Sequence, residues 1–256
     1  MNRISILTPI LDKLSDTQFN LVTEIATALS LPVESKRNEN SDVITDGFLQ
    51  DFGDTLKTHH VMSKEPFTKD KFEYAMVRIL LRGGRKAELA RKGYRGHDIT
   101  VDGERWSLKT QADAGIKELT IHISKFMELG GGKWETEADL VGLRDLFFEH
   151  MVKYDRIFTL RAFRQGKLLK AGYWHYELVE IPKMILLQAI NGKFEMKHDS
   201  KQNPKPGYCT VTDQNGTLFQ LYFDGGSERK LQIRSILKRL CMVHAIWTLP
   251  TLDSHS

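Results

Sequence analysis

The sequence predicts an α/β fold in which a central mixed sheet is flanked by helices. One observation is the helical spacing of apolar residues, clearest in a segment that Thr68 could cap and that ends near Gly83-Gly84. Its apolar stripe consists of Phe72, Met76, Ile79 and Leu80. The other observation is that strand-forming runs flank two short turn signals, Asp102-Gly103 and Asn215-Gly216. A chain that contains both helices and hairpins is expected to pack a layer of helices against a β-sheet.

The remaining elements follow from the same patterns. Ser15 is a candidate N-cap for a helix over residues 15–31, and the polar residues 34–42 are expected to form a loop. Residues 116–129 fit a helix, although Leu119, Ile121 and Ile123 alternate as in a strand, and we favour the helix. Further along, the pattern predicts a helix over residues 135–153, strands in DRIFTLRAF, YWHYELVEI, KLQIR and LCMVHAIWTL, and a short helix that begins at Pro182.

Composition bounds the class of protein. The chain has 256 residues, of which 41% are hydrophobic and 27% charged, so we expect a globular protein of one large domain or two small ones. A net charge of +4 fits a polyanionic partner but does not by itself argue for one. Two cysteines, Cys209 and Cys241, make neither a disulfide framework nor a thiolate metal site, which points to a reducing, cytoplasmic setting.

The apolar N-terminal run ISILTPIL is not typical of a signal peptide. Asp12 and Lys13 follow it where a cleavage site would need small residues. No apolar stretch approaches the roughly 20 residues that span a bilayer. We therefore expect no membrane association.

The stretch GHDITVDGERWSLKTQ, residues 96–111, brings an acid and a base together. With Asp102-Gly103 as a two-residue turn, Ile99 pairs with Trp106 and Asp98 with Ser107. Cross-strand partners share a face, and so do residues two apart on one strand. Asp98, Ser107 and Lys109 are therefore expected on one face of the hairpin, with Ile99, Trp106 and Leu108 on the other.

Two interpretations fit an aspartate beside a lysine on a sheet face. The carboxylate could hold Mg²⁺, which acidifies water, while the lysine assists attack on phosphorus. The alternative is a solvated hairpin whose cross-strand ion pair contributes a few tenths of a kcal/mol. Spacing alone favours the solvated hairpin, because charged hairpins of this kind are common.

The pattern Asp98…Ser107-Leu108-Lys109 resembles the active-site hairpin of the PD-(D/E)XK nuclease superfamily, specifically of type II restriction endonucleases. The resemblance implies a restriction-endonuclease-like fold, with Asp98 binding metal, Lys109 as the catalytic lysine and the Leu108 carbonyl as a further ligand. Two positions depart from the pattern. His97 stands in place of a proline, and Ser107 in place of the second acid.

Some restriction enzymes are similar in carrying serine at that position and recruiting a glutamate from a neighbouring helix. Glu73 is the first candidate here, with Glu118 and Glu128 as alternatives, although each glutamate alone also fits a solvated surface role. Gln111 shares the face of Lys109, so it fits either a substrate contact or an ordinary polar residue at a strand end.

Two basic clusters fit a DNA partner. The first lies between the predicted helix and the hairpin and would neutralise backbone phosphates; it consists of Arg82, Arg85, Lys86, Arg91, Lys92 and Arg95. In the second, Lys230, Gln232 and Arg234 alternate along a predicted strand, and such side chains read base edges in the major groove. The alternative for both is a solvated polar surface.

These features and the resemblance together predict a Mg²⁺-dependent, site-specific endonuclease of double-stranded DNA, and the resemblance implies products with 5′ phosphates. Residues 67–256 would form the nuclease core with C-terminal DNA-recognition elements, and residues 1–66 an N-terminal helical and loop region of the same domain. A homodimer is a possible assembly, and a cognate DNA methyltransferase is expected in the same system. The alternatives are a structure-specific repair or recombination nuclease of the same superfamily and a non-catalytic DNA-binding protein.

Overall fold

The computed structural model describes residues 3–91, 93, 96–113, 115–164 and 172–250. The α-helices within them are α1 (Arg3–Leu11), α2 (Asp16–Ser30), α3 (Asp46–Met62), α4 (Lys69–Arg82), α5 (Glu137–Met151) and α6 (Lys183–Leu186). The strands are β1 (Glu34–Arg37), β2 (Ala87–Leu89), β3 (Ile99–Val101), β4 (Glu104–Gln111), β5 (Thr120–Glu128), β6 (Arg156–Phe163), β7 (Tyr173–Glu180), β8 (Lys193–Met196), β9 (Gly207–Asp213), β10 (Gly216–Asp224), β11 (Lys230–Leu237) and β12 (Met242–Pro250).

The described strands form two sheets. The first has seven strands in the order β1-β12-β7-β6-β4-β3-β2, and the second has five in the order β5-β11-β10-β9-β8. Only β4 and β6 pair in parallel within the described residues, so the first sheet is mixed. The predicted α/β class with a mixed sheet and flanking helices is confirmed, and the structure adds a second, antiparallel sheet.

Each sheet has its own apolar core. Helices α3 and α4 pack on the first sheet, where Phe52, Phe72 and Trp106 are fully buried. Helix α5 packs with the second sheet and the start of β6, where Phe147, Tyr154 and Ile157 are fully buried. One face of strand β4 places Trp106 and Leu108 in the first core, and Lys109 on the other face lies against Phe126 of the second core. The candidate hairpin lies at this junction.

The N-terminal residues join the first sheet directly. Strand β1 pairs with β12 along its full length, and α3 contributes Phe48, Phe52 and Leu56 to the first core. The prediction of a loop over residues 34–42 is therefore wrong for residues 34–37. Their side chains are largely exposed because β1 is an edge strand, which left no apolar alternation in the sequence.

The helix predicted over residues 116–129 is also wrong, because residues 120–128 form β5. Ile121 and Ile123 are buried as in a regular strand, but Phe126 is buried out of phase with them. The pairing with β11 explains this phase change: Ile233 lies opposite Ile123, whereas Leu231 lies opposite Met127, so β5 bulges in between. Because of the bulge, the buried residues Ile123 and Phe126 are three positions apart, which is the spacing expected in a helix.

Candidate active site

The Asp102-Gly103 turn sets the geometry of the site. Both residues have positive φ, 50° and 92°, as a tight type I′ hairpin turn requires. The register is the predicted one, with Ile99 opposite Trp106 and Val101 opposite Glu104. The Asp98 N–H continues the ladder by donating to the Trp106 carbonyl over 2.8 Å. Asp98 thus lies immediately before the first residue of β3, beside the part of β4 that extends past β3.

The hairpin holds the Asp98 carboxylate in a fixed position. Its Oδ2 accepts hydrogen bonds from the Leu108 N–H over 2.6 Å and from the Ser107 hydroxyl over 3.3 Å. The side chain of Asp98 is 13% exposed. Ser107, which stands where the family pattern has an acid, is fully buried and supports Asp98. Both hydrogen bonds are made to Oδ2, so Oδ1 takes no part in holding Asp98 to the hairpin.

A second carboxylate reaches the same place from α4. Lys69 Nζ lies 2.6 Å from Asp98 Oδ1 and 2.8 Å from Glu73 Oε1, so one ammonium bridges both acids. Glu73 is the helper glutamate predicted from sequence, and the structure brings it beside Asp98. Lys69 was missed, although its spacing of four residues from Glu73 puts both on one helix face.

The charges in this group act on one another. Burial, together with the nearby Asp98 charge, raises the pKa of Glu73 despite the opposing effect of Lys69. Burial disfavours the charged form of Lys69, but the carboxylates of Asp98 and Glu73 outweigh it, so the pKa of Lys69 is raised. The Lys69 ammonium therefore stays charged.

Lys109 lies in different surroundings. It projects from the same face of β4 as Ser107, and its Nζ is 5.8 Å from the centroid of the Phe126 ring. Nζ makes no hydrogen bond or ion pair with any other residue that the structure describes. Burial and then the charge of Lys69 lower the pKa of Lys109, whereas the charges of Asp98 and Glu73 oppose the shift.

An aromatic group borders Lys109 on the side of the second core. The ring of Phe126 lies 5.8 Å from that of His150 and 6.0 Å from that of Tyr154. Burial, with the charge of Lys109 next, lowers the pKa of His150 to about 4. His150 is therefore neutral near pH 7 and adds no positive charge beside the lysine.

The donors around Asp98 fit a hard divalent cation. Two carboxylates from different elements already face one cationic nitrogen, and Mg²⁺ or Ca²⁺ prefers oxygen ligands. An extended strand directs the N–H and C=O of one residue to the same side. The Leu108 N–H points to the Asp98 side chain, so the Leu108 carbonyl also lies on that side of β4. At this position β4 has already passed the first residue of β3, Ile99.

Another acidic cluster, formed by Asp42, Glu180 and His244, has a different occupant. The Arg156 guanidinium forms paired hydrogen bonds to both carboxylates, at 2.7 and 2.9 Å to Asp42 and at 2.8 and 2.6 Å to Glu180. His244 Nε2 lies 2.9 Å from Glu180 Oε2. This cluster is an ion-pair network joining β6, β7 and the segment before α3.

The other predicted residues near the hairpin lie apart from Asp98. Gln111 is 4% exposed and accepts a hydrogen bond from Arg161 Nε over 3.2 Å, so its side chain is used inside the protein. Glu128 is exposed at the end of β5 and pairs with Lys125 at 3.2 Å. The Glu118 carbonyl accepts from Arg161, on the loop before β5. Of the three glutamates considered, only Glu73 shares a contact with Asp98 in the described structure.

Two members of the first basic cluster, Arg85 and Lys86, contact Asp102 of the hairpin turn. Arg85 Nε donates to Asp102 over 2.6 Å, and the exposed Arg82 lies 3.6 Å from Asp51. Lys86 and Arg91 are exposed. Lys92 and Arg95 lie outside the described residues.

The second basic cluster lies on the polar face of the second sheet. The Arg234 guanidinium lies 3.4 Å from the centroid of the Tyr222 ring and donates to Gln232 Oε1 over 2.8 and 2.9 Å. Gln232 in turn donates to Asp224 over 3.0 Å. Lys230 pairs with Glu228 at 2.7 Å. The predicted face is confirmed as a group of ordered polar side chains on a strand whose other face is apolar.

None of the described helices has the length and apolar character needed to cross a bilayer.

Known proteins resemble this chain over most of its length. A family model for SmaI, described as a type II site-specific deoxyribonuclease, matches residues 7–249. The type II restriction enzyme SmaI of Serratia marcescens is 45% identical over 210 residues, which cover 81% of this chain and 82% of that protein. No solved structure matches. The matches agree with the predicted restriction enzyme and not with a repair nuclease or a non-catalytic DNA-binding protein. By family model and by relative alike, the chain belongs to the SmaI family of type II site-specific deoxyribonucleases.

Proposed function

We propose that this deoxyribonuclease cuts DNA at a variant PD-(D/E)XK site formed by Asp98, Glu73, the Leu108 carbonyl and Lys109, with Mg²⁺ as the cofactor. The observation that carries the proposal is the meeting of the Asp98 and Glu73 carboxylates on a single cation position. Ser107 is not one of the proposed metal ligands. Its hydroxyl donates to Asp98 Oδ2, so Oδ1 faces the cation position that it shares with Glu73.

The metal ligands and Lys109 would have different roles in hydrolysis. Asp98 and Glu73 would hold the divalent cation, which would supply Lewis-acid polarisation of the phosphate and a more acidic water. Lys109, with its lowered pKa and no partner among the described residues, is suited to hold the attacking water or to stabilise charge on the phosphate. In-line attack expels the 3′ oxygen and leaves a 5′ phosphate.

The basic clusters would hold the duplex. Arg82, Arg85, Lys86 and Arg91, with Lys92 and Arg95, are proposed to contact backbone phosphates, which makes binding salt-dependent. Lys230, Gln232 and Arg234 are proposed to read base edges. The support for this reading is that Tyr222 and Asp224 hold Arg234 and Gln232 in place, because base recognition requires fixed donors and acceptors.

The decisive experiment is Lys109→Ala, assayed for cleavage of plasmid DNA with Mg²⁺. We expect the cleavage rate to fall at least about a hundredfold, because the group beside the attacking water is lost. Binding to the same DNA in Ca²⁺, measured by gel shift, should change only a few-fold. Lys36→Ala is the matched control, since Lys36 is an exposed strand lysine at the far edge of the same sheet. Wild-type cleavage by Lys109→Ala would show that the site lies elsewhere.

The chain is further proposed to cut DNA as a homodimer. A separate DNA methyltransferase is proposed to modify the same recognition sequence in the host. A duplex has two backbones, and the described residues contain one set of Asp98, Glu73 and Lys109. A cell that carries the enzyme must also protect its own recognition sites. Sedimentation of the DNA complex at the mass of one chain would contradict the dimer, and unmodified sites in a host that expresses the enzyme would contradict the methyltransferase.

A further inference from the structure

Lys69 holds the position that the proposed metal requires. Its Nζ makes the contacts of 2.6 and 2.8 Å that join Asp98 Oδ1 to Glu73 Oε1. We propose that Lys69 is a resident cation that keeps the metal-free site assembled, and that a divalent ion binds by displacing it. This inference rests on the proposed function, because it takes Asp98 and Glu73 as the metal ligands.

Displacement follows from distance and charge. A Mg²⁺ ion lies about 2.0–2.1 Å from its oxygen ligands, which is closer than the Lys69 ammonium approaches them. An ammonium within hydrogen-bond distance of the same two oxygens would meet that ion at close range, and the two like charges would repel each other in a partly buried site. The two cations therefore exclude each other, and each lowers the affinity of the site for the other.

The position of Lys69 allows it to leave. It is the first residue of α4, and its side chain is 40% exposed although it contacts both acids. A lysine side chain is a flexible four-carbon stem with a strongly hydrated end, so it can turn to solvent without moving the helix. Glu73, one turn along α4, is 19% exposed and stays in place as Lys69 leaves.

Lys69 also explains how two acids remain adjacent without metal. Asp98 is fixed by the hairpin and Glu73 by α4, so neither can move far to relieve their repulsion. Replacing the Lys69 ammonium by an uncharged side chain of similar length leaves that repulsion in the metal-free protein and removes the competitor in the metal-bound protein. The substitution should therefore have opposite effects in the two states.

The test measures Mn²⁺ binding to the DNA-free protein by electron paramagnetic resonance and calorimetry. We expect Lys69→Met to bind Mn²⁺ about tenfold more tightly than wild type, since binding no longer has to break two ion pairs. Lys71→Met is the matched control, because Lys71 lies on the same helix and its Nζ contacts His59 at 3.2 Å. A gain of threefold or more supports the inference, and a smaller gain, no change or a loss overturns it.

Two further measurements separate the possible failures. Thermal melting of Lys69→Met should fall below wild type in EDTA and reach or exceed wild type in saturating Mn²⁺. A deficit of equal size in both solutions would mean that Lys69 is only structural and would overturn the inference.

Asp98→Asn should lose Mn²⁺ binding. If it binds as wild type does, the proposed metal site itself is wrong, whereas loss in Asp98→Asn without a gain in Lys69→Met rejects the role of Lys69 alone.

Discussion

Lys69 and Lys109 are the same side chain placed in opposite surroundings within one site. Two carboxylates face Lys69, and they keep its pKa high. Lys109 is partly buried against the Phe126 ring, and the loss of hydration keeps its pKa low. The first lysine is therefore suited to a lasting positive charge, and the second to an exchange of protons or hydrogen bonds with a reacting group.

His60 gives a prediction at the same scale. Its Nδ1 lies 3.1 Å from the Ser63 carbonyl and its Nε2 lies 2.7 Å from the Tyr176 hydroxyl, which also accepts from the Phe67 N–H. When the Tyr176 hydroxyl donates to Nε2 and Nδ1–H donates to the Ser63 carbonyl, both ring nitrogens of a neutral imidazole are satisfied. Burial lowers the pKa of His60 to about 4.

The sign of the pH dependence follows from that lowered pKa. The unfolded chain takes up a proton near pH 6.5 but the folded chain only near pH 4, so the contribution of His60 is complete above pH 6.5 and is lost as pH falls to 4. The stability advantage of wild type over His60→Gln should shrink by roughly 2–3 kcal/mol over that interval. Urea unfolding at several pH values measures it, with the exposed His198→Gln as control. A constant difference would contradict the assignment.

At the scale of elements, the turn of the active-site hairpin makes a prediction about glycine. Gly103 has φ 92°, and a Cβ built there would meet nothing within 4 Å. Gly142, in the middle of α5, also has open space around a Cβ, but its φ is not positive. The two sites therefore differ in backbone conformation and not in steric contact.

Alanine should consequently have opposite effects at these positions. Gly103→Ala should lower the free energy of unfolding by about 1–2 kcal/mol, because a left-handed conformation is strained for alanine. Gly142→Ala should raise it by about 0.5–1 kcal/mol, because alanine loses less entropy than glycine in a helix. Both are measured by urea denaturation. The same sign for both variants would mean that the turn is not held in the type I′ form.

The elements also show what could be read from the sequence. The Asp102-Gly103 signal predicted the register that brings Asp98 to Ser107, because a two-residue turn leaves no freedom in pairing. Strand β5 was mistaken for a helix, since its bulge depends on pairing with β11, far along the chain. Lys69 was missed for a similar reason: its partner Asp98 lies 29 residues away, and its spacing to Glu73 is shared by many surface ion pairs.

At the scale of the whole molecule, the site depends on how the two sheets are joined. Strand β4 places Trp106 and Leu108 in the first core and directs Lys109 at Phe126 in the second. The environment of Lys109 is therefore made by both sheets. Any loosening between them would admit water to Lys109 and move its pKa toward the ordinary value.

Arg161 on β6 forms a polar connection between the sheets. It is fully buried, and it donates to Glu177 on β7 over 2.6 Å and to Gln111 on β4 over 3.2 Å. It also donates to the Lys117 carbonyl, and over 3.0 Å to the Thr120 carbonyl at the start of β5. One guanidinium thus holds the segment that leads from the active-site strand to the second sheet.

Arg161→Leu should therefore be severe. It leaves the buried Glu177 with fewer cationic partners and frees the carbonyls before β5, so we expect a loss of about 3–5 kcal/mol in the free energy of unfolding. Lys125→Ala is the control, because Lys125 joins Glu228 and Glu128 in an exposed network that contributes little to stability. Urea denaturation compares the two. Equal, small losses would mean that apolar packing alone joins the sheets, and the coupling of Lys109 to the second core would then not depend on Arg161.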